Sequence, residues 1–154
     1  MLIAFFDNEG VEHHEFVPAG QTVNGPLHVQ VFKRLRETIR RKRPAKWQGG
    51  WSLLHDNAPS HTYIVVQIWV AVKNILLLHQ PPYSPDLSPS DFWLFPKIKM
   101  GLKGNRFDTV EDIKTNATAE LRKIPQQDFH RCFQQWQERW SNCVRAEGSY
   151  FEGD

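Results

Sequence analysis

Two aspartates stand out for where they fall. Asp56 interrupts "WSLLHDNAPSH", an apolar run that stops at His55-Asp56-Asn57 with a proline two residues on. Asp91 closes "PPYSPDLSPSD", a loop with four prolines in eleven residues. One acid ends a strand and the other opens a helix. Such groups meet outside the carboxyl ends of strands in open α/β sheets, where loops converge. Two carboxylates there could hold a hard divalent cation, since Mg2+ takes carboxylate oxygen, water and substrate phosphate. A pair of such ions, roughly 3.5–4 Å apart, stabilises the attacking and leaving oxygens of phosphodiester cleavage. The competing reading is structural, because aspartates at strand ends and turns commonly bond nearby backbone N–H groups. Spacing alone leaves both open.

The elements that must position these acids are legible in outline. "LIAFF" and "VEHHEFV" are β-prone runs across Asp7-Asn8-Glu9-Gly10, a hairpin in which Asp7 is a turn former. From about Pro26 to Arg41, Phe32, Leu35 and Ile39 recur at helical spacing, with Pro44 and Gly49-Gly50 closing the segment. "WSLL" predicts a third strand leading into Asp56, followed by a helix from Ser60 to about Lys73. "NILLL" predicts a fourth strand, its consecutive apolar residues suiting one covered on both faces. No helix or central strand can cross the proline-rich loop before Pro89, which suits a first helical turn. A helix over Pro89–Leu102 then places Asp91 in its first turn. Thr109-Val-Glu-Asp112 resembles a capping box with Asp in place of Glu or Gln, and Val110, Ile113, Ala117 and Leu121 line the helix after it. Beyond Pro125, Phe129, Phe133, Trp136 and Trp140 form a stripe that reads as core packing rather than a platform for bases.

The totals set bounds on this. A chain of 154 residues, 40% hydrophobic and 23% charged, is the size and composition of one globular domain, and strands followed by helices predict an α/β layer structure over residues 1–154. A formal charge of +2 does not announce nucleic-acid binding, but its distribution is uneven. In "KRLRETIRRKRPAK", Lys33 to Lys46, eight basic residues face the single acid Glu37. Arg34, Arg36, Arg40, Arg41, Lys42 and Arg43 are candidates to neutralise DNA phosphates, against the plainer reading of a solvated helix face. Two cysteines without metal-type pairing lead us to expect a reducing compartment. "MLIAFFDNEG" is too short and lacks the basic flank of a signal peptide. Gln67 and Lys73 break "YIVVQIWVAVKNILLLH" well short of the ~20 apolar residues of a membrane span, so no membrane partner is expected.

The wording of the two acidic segments narrows the choice. "HDNAPSH" and "PPYSPDLSPSDFWLF" resemble the catalytic domain of mariner-type transposases, the DDE branch with Asp as its third acid. Thirty-four residues separate Asp56 from Asp91, the mariner spacing. "FFDNEGVEHHEFVPAGQTVN", "RRKRP", "KGNRF" and "GSYFEGD" resemble family segments in the same order, so the likeness spans essentially the whole chain. It implies a ribonuclease-H-like mixed sheet flanked by helices and metal-dependent DNA cleavage and strand transfer. It also implies Mg2+ or Mn2+ as cofactor, nuclear location, and homodimers acting on transposon ends and target DNA. Asp56 would be the second metal-binding carboxylate and Asp91 the third. His55, Asn57 and His61 would shape the site or face DNA. Tyr83, Ser84, Pro85 and Asp86 would shape the loop presenting Asp91. Asp86 is the tempting decoy, but the spacing and the "PSD" motif select Asp91.

The resemblance is incomplete at the amino end. The family's first catalytic Asp sits on a central first strand upstream of the segment matching "MLIAFF", and Asp7 does not match it. The helix-turn-helix modules that recognise terminal repeats also have no counterpart here. The chain therefore reads as an amino-truncated catalytic domain, expected to cleave little or nothing alone and to leave apolar strand edges open to aggregation. Val66 and Val70 look like surplus apolar residues on the third-strand helix, through sequence drift or as a partner surface. The alternative function is a noncatalytic DNA-binding or protein-interaction module derived from a transposable element. Mariner domains also occur fused behind a SET histone methyltransferase, but nothing in these residues resembles a methyltransferase. An unrelated metal phosphatase-like hydrolase would use both acids but explain none of the surrounding motif.

Overall fold

Asp7 makes the first turn of the chain. Its Oδ1 accepts the N–H groups of Glu9 (2.8 Å) and Gly10 (3.1 Å), and Gly10 adopts φ 141°, a region open to glycine. Strands β1 (Leu2–Asp7) and β2 (Gly10–Phe16) pair across this turn. The computed structural model describes residues 2–55, 64–79 and 84–145. They fall into two compact units, Met1–Phe5 with Glu12–Pro82, and Phe6–Val11 with Tyr83–Asp154.

The first unit is organised by helix α1 (Gly25–Lys42). Asn24 caps it by accepting the Leu27 N–H at 2.9 Å, Pro26 occupies its first turn, and Arg40, Arg41 and Lys42 sit favourably at the negative end of its dipole. Its buried face carries Val29, Phe32, Leu35 and Ile39, packed with Leu53, Val66 and Val70 in one core. Phe5 meets Phe32 edge-on at 6.0 Å. Helix α2 (Pro44–Gly49) follows, then β3 (Ser52–His55), α3 (Ile64–Val72) and β4 (Leu76–His79). β3 and β4 run parallel, from Ser52 opposite Leu76 to His55 opposite His79. Among the described residues the strands form two pairs, β1–β2 and β3–β4.

Two sequence expectations change here. Val66 and Val70 are core residues, 1% and 4% exposed, and so not surplus. The outward apolar residues of α3 are instead Ile64, Val65, Ile68 and Val72. β4 is likewise not covered on both faces: Leu77 packs on the core while Leu76 and Leu78 face out. A consecutive apolar run hides this alternation, because side chains point to opposite faces whatever their type.

The second unit packs aromatic rings around Phe6 at the hairpin tip, which meets Trp93, Phe129 and Phe133 at 6.0, 6.0 and 5.9 Å. Its helices are α4 (Phe95–Leu102), α5 (Val110–Lys123) and α6 (Gln126–Arg145). Thr109 caps α5 as its sequence suggests, accepting the Asp112 N–H at 3.1 Å. Ala117 and Leu121 of α5 and Phe129 and Cys132 of α6 are buried. Burial pushes the Cys132 thiol pKa up to about 12, against a smaller pull from Arg139, so it stays protonated and packs as an apolar group. No described helix is long and apolar enough to cross a membrane.

One ion pair ties β2 to the end of α1. Glu12 is 5% exposed and accepts from Arg43 Nε at 2.9 Å, with Lys46 Nζ at 4.0 Å. Removing the main partner of a buried carboxylate leaves its charge poorly compensated. Arg43→Ala is predicted to lower stability by about 3 kcal/mol, with Glu12→Gln costing less. Urea denaturation of both variants checks this; an Arg43→Ala midpoint equal to wild type would contradict it.

Candidate functional site

Asp91 sits on a backbone held from beneath. Pro85–Leu87 forms a 3-10 turn, in which the Leu87 N–H donates to Ser84 O and the Ser88 N–H to Pro85 O. The N–H groups of Asp91 and Phe92 both donate to Ser88 O at 3.0 Å. Residues Ser90–Leu94 then make a π-helical turn, closed by the Phe95 N–H donating to Ser90 O, before α4 begins. The sequence predicts one regular helix from Pro89, and Pro96 explains the difference. Its ring would clash with the carbonyl four residues back and offers no N–H, so the turn before it widens. Asp91 is still in the first turn, as expected. Its side chain is exposed, and no other described side chain bonds its carboxylate.

Helix α6 fixes this loop. Trp136 Nε1 donates to Leu87 O at 2.7 Å, and Arg139 Nη1 donates to Asp86 O at 3.3 Å. The Arg139 guanidinium also lies 4.3 Å from the centroid of the Phe92 ring. Asp86 is therefore part of the anchor, with Oδ1 buried and without a hydrogen bond, as is Arg139 Nε. Sequence reasoning placed Trp136 in a packing stripe and passed over Arg139. The available signal was a tryptophan in that stripe, whose indole N–H usually finds a partner when buried.

The strand bearing the other acid is described as far as His55, which ends β3. Asp56, Asn57, His61 and Tyr83 lie outside the described residues. Ser84 and Pro85 open the turn beneath Asp91. Among the described residues no three His, Cys, Asp or Glu side chains gather as a metal site. Among the described residues Asp91 supplies exposed hard oxygen donors on a fixed backbone, which fits a divalent ion that takes much of its coordination from water and substrate.

Much of the basic run is engaged within the chain. Arg34 makes a two-pronged bond to Glu15, at 2.9 Å from Nε and 2.6 Å from Nη2. That guanidinium, more than the neighbouring His13, holds the Glu15 carboxyl below its usual range against desolvation. The stabilisation is present above the ordinary carboxylate range and is lost as pH falls through the lowered value. Arg40 pairs with Glu37 one turn earlier, and Arg43 is committed to Glu12. Arg36 stacks over Trp47 at 4.6 Å. Arg41 and Lys42 are exposed at the end of α1.

The DDE superfamily endonuclease family matches residues 2–114, and the chain belongs to it. Over 99% of its length it is 36% identical to the Mariner Mos1 transposase of Drosophila mauritiana, of which it spans 45%. It is 32% identical over 99% of its length to the histone-lysine N-methyltransferase SETMAR of Homo sapiens, spanning 22% of that protein. The chain thus spans less than half the length of either relative. The crystal structure of the catalytic domain of Mos1 mariner transposase superposes with a TM-score of 0.89 at 35% identity, over 98% of this chain and 75% of that one. The fold is therefore the ribonuclease-H-like one of that domain, and the chain corresponds to part of a mariner transposase catalytic domain. The Mos1 catalytic domain has also been solved with Mg and raltegravir (TM-score 0.89, 35% identity, 98% of this chain and 76% of that one). A Mos1 mariner paired end complex with Mn gives 0.90 at 36% identity, over 98% and 44%.

If the Trp136 bond holds the Asp91 loop, losing it must loosen that loop first. Trp136→Phe leaves the carbonyl of buried Leu87 unpaired, at a cost of about 1–3 kcal/mol. Hydrogen exchange at the Asp91 and Phe92 amides is predicted to quicken at least tenfold while α5 amides keep their rates. Equal exchange in the variant and wild type would contradict the anchor.

Proposed function

We propose that the chain carries two of the carboxylates of a metal-dependent DNA strand cleavage and transfer site, Asp56 and Asp91, with Mg2+ or Mn2+ as the ion. The exposed carboxylate of Asp91, on an anchored turn with its family motif intact, carries this reading. Family membership and the Mg- and Mn-containing structures of the Mos1 catalytic domain support the choice of ion. When bound, the metal supplies charge stabilisation at the attacking and leaving oxygens of a phosphodiester. Asp56 and Asp91 hold that charge in place, while His55, Asn57, His61 and Tyr83 shape the space around it. Arg41 and Lys42 extend toward DNA phosphate, with the other basic residues of α1 contributing to the field around them. The partners proposed are transposon-end and target DNA and a second copy of the chain, and the setting is the nucleus.

A second reading is a noncatalytic DNA-binding module. It is favoured by the exposed cations Arg41 and Lys42 at the end of α1, which can meet phosphate without a metal. The two readings separate in one experiment. The 154-residue chain alone is predicted not to nick supercoiled DNA in Mg2+ or Mn2+. A chimera in which this chain replaces the matching part of the Mos1 catalytic domain is predicted to nick, with Asp56→Asn or Asp91→Asn lowering the rate at least a hundredfold. A folded chimera that binds DNA without nicking would support the binding module instead.

A further inference from the structure

The amino ends of β3 and β4 close a pocket that has no part in the metal site. Arg36 of α1 and Trp47 of α2 form one wall, Trp51 sits just before β3, and the Lys73-Asn74 turn between α3 and β4 forms the other. Its volume is about 170 Å³. Small-molecule pockets usually run to ~300–1,000 Å³, so this one suits a single chemical group.

The lining is rich in donors and positive. It holds two cations and no carboxylate. Arg36 differs from its neighbours Arg34, Arg40 and Arg43, which are paired with acids. Its guanidinium is instead oriented by the Trp47 ring. Among the described residues neither the Trp47 nor the Trp51 indole N–H has a partner, whereas Trp136 donates to a carbonyl. Arginine, lysine and indole groups donate hydrogen bonds and accept none. The backbone holds the walls in place. Gly50 turns at φ 85° and Asn74 at φ 57°, while the N–H groups of Asn74 and Ile75 close the end of α3 on Ala71 O and Val70 O. The complement of a small, positive, donor-lined pocket is an oxyanion.

We propose that this pocket is a phosphate site for a nucleic-acid backbone. It lies at the far end of β3 from His55, a strand of four residues or about 13 Å, so the phosphate it takes is not the one cleaved. The inference rests on the proposed function only in naming DNA as the source of the phosphate.

The test uses the full chain and the double variant Arg36→Gln/Lys73→Gln, with circular dichroism to confirm that the variant folds. Binding to a labelled duplex is measured across a salt series, and inorganic phosphate is titrated against tryptophan emission. The slope of log K against log salt is expected to fall by about one unit in the variant, as loss of one neutralised phosphate requires, and its emission response to phosphate is expected to vanish. An unchanged slope in a folded variant overturns the assignment to DNA backbone, even where the phosphate response is lost. A wild-type chain that ignores DNA but responds to phosphate, with the response lost in the variant, refutes the proposed function and keeps a free-phosphate site. No difference between the two proteins in either arm overturns the site itself. If the variant unfolds, Lys73→Gln alone is read by the same two arms, with a slope change of about one unit expected.

Discussion

The hydrogen bond from the Trp136 indole to the Leu87 carbonyl is the constraint on which the presentation of Asp91 depends. A carboxylate on a loop can serve a metal only if the backbone beneath it has one conformation. The loop here is rich in proline, which limits its freedom but also removes N–H groups that would otherwise tie it down. Helix α6 supplies the missing ties from outside, through Trp136 and through Arg139, which grips the Asp86 carbonyl and covers the Phe92 ring. The aromatic stripe of α6 therefore does two jobs. Phe129 and Phe133 pack around Phe6, and the next turn holds the loop that carries Asp91.

The basic segment of α1 shows a similar division of labour. Its charge count suggests one phosphate-binding face, yet the helix has several sides. Arg34 and Arg43 are turned toward Glu15 and Glu12 of β2 and hold the hairpin to the helix. Arg36 is laid over Trp47, and Arg41 and Lys42 remain exposed. Neutralising the whole run would therefore confound any test of DNA binding with lost stability. Single substitutions separate the two, because a buried pair and an exposed cation respond to salt differently.

Where structure follows from neighbours in sequence, it was legible there. Asp7 bonding residues two and three ahead, Thr109 capping α5, and the apolar face of α1 are all set by short spacing. The motif containing Asp91 was legible too, as was the fold it implies. The failures share a cause. The Glu12–Arg43 and Trp136–Leu87 bonds join residues 31 and 49 apart, and no local pattern marks such partners. The widened turn at Ser90–Leu94 depends on Pro96, whose effect reaches back across a turn. The one-sided burial of β4 depends on which layers cover it, and four apolar residues in a row, Ile75 to Leu78, look the same either way.

The central claim is that Asp56 and Asp91 act on the same ion. Titration of Mn2+ into the chain, followed by electron paramagnetic resonance, tests it without requiring catalysis. The account predicts weak saturable binding in the wild type that disappears in Asp56→Asn and equally in Asp91→Asn. Absence of saturable binding in the wild type, or binding that survives either substitution unchanged, would contradict it.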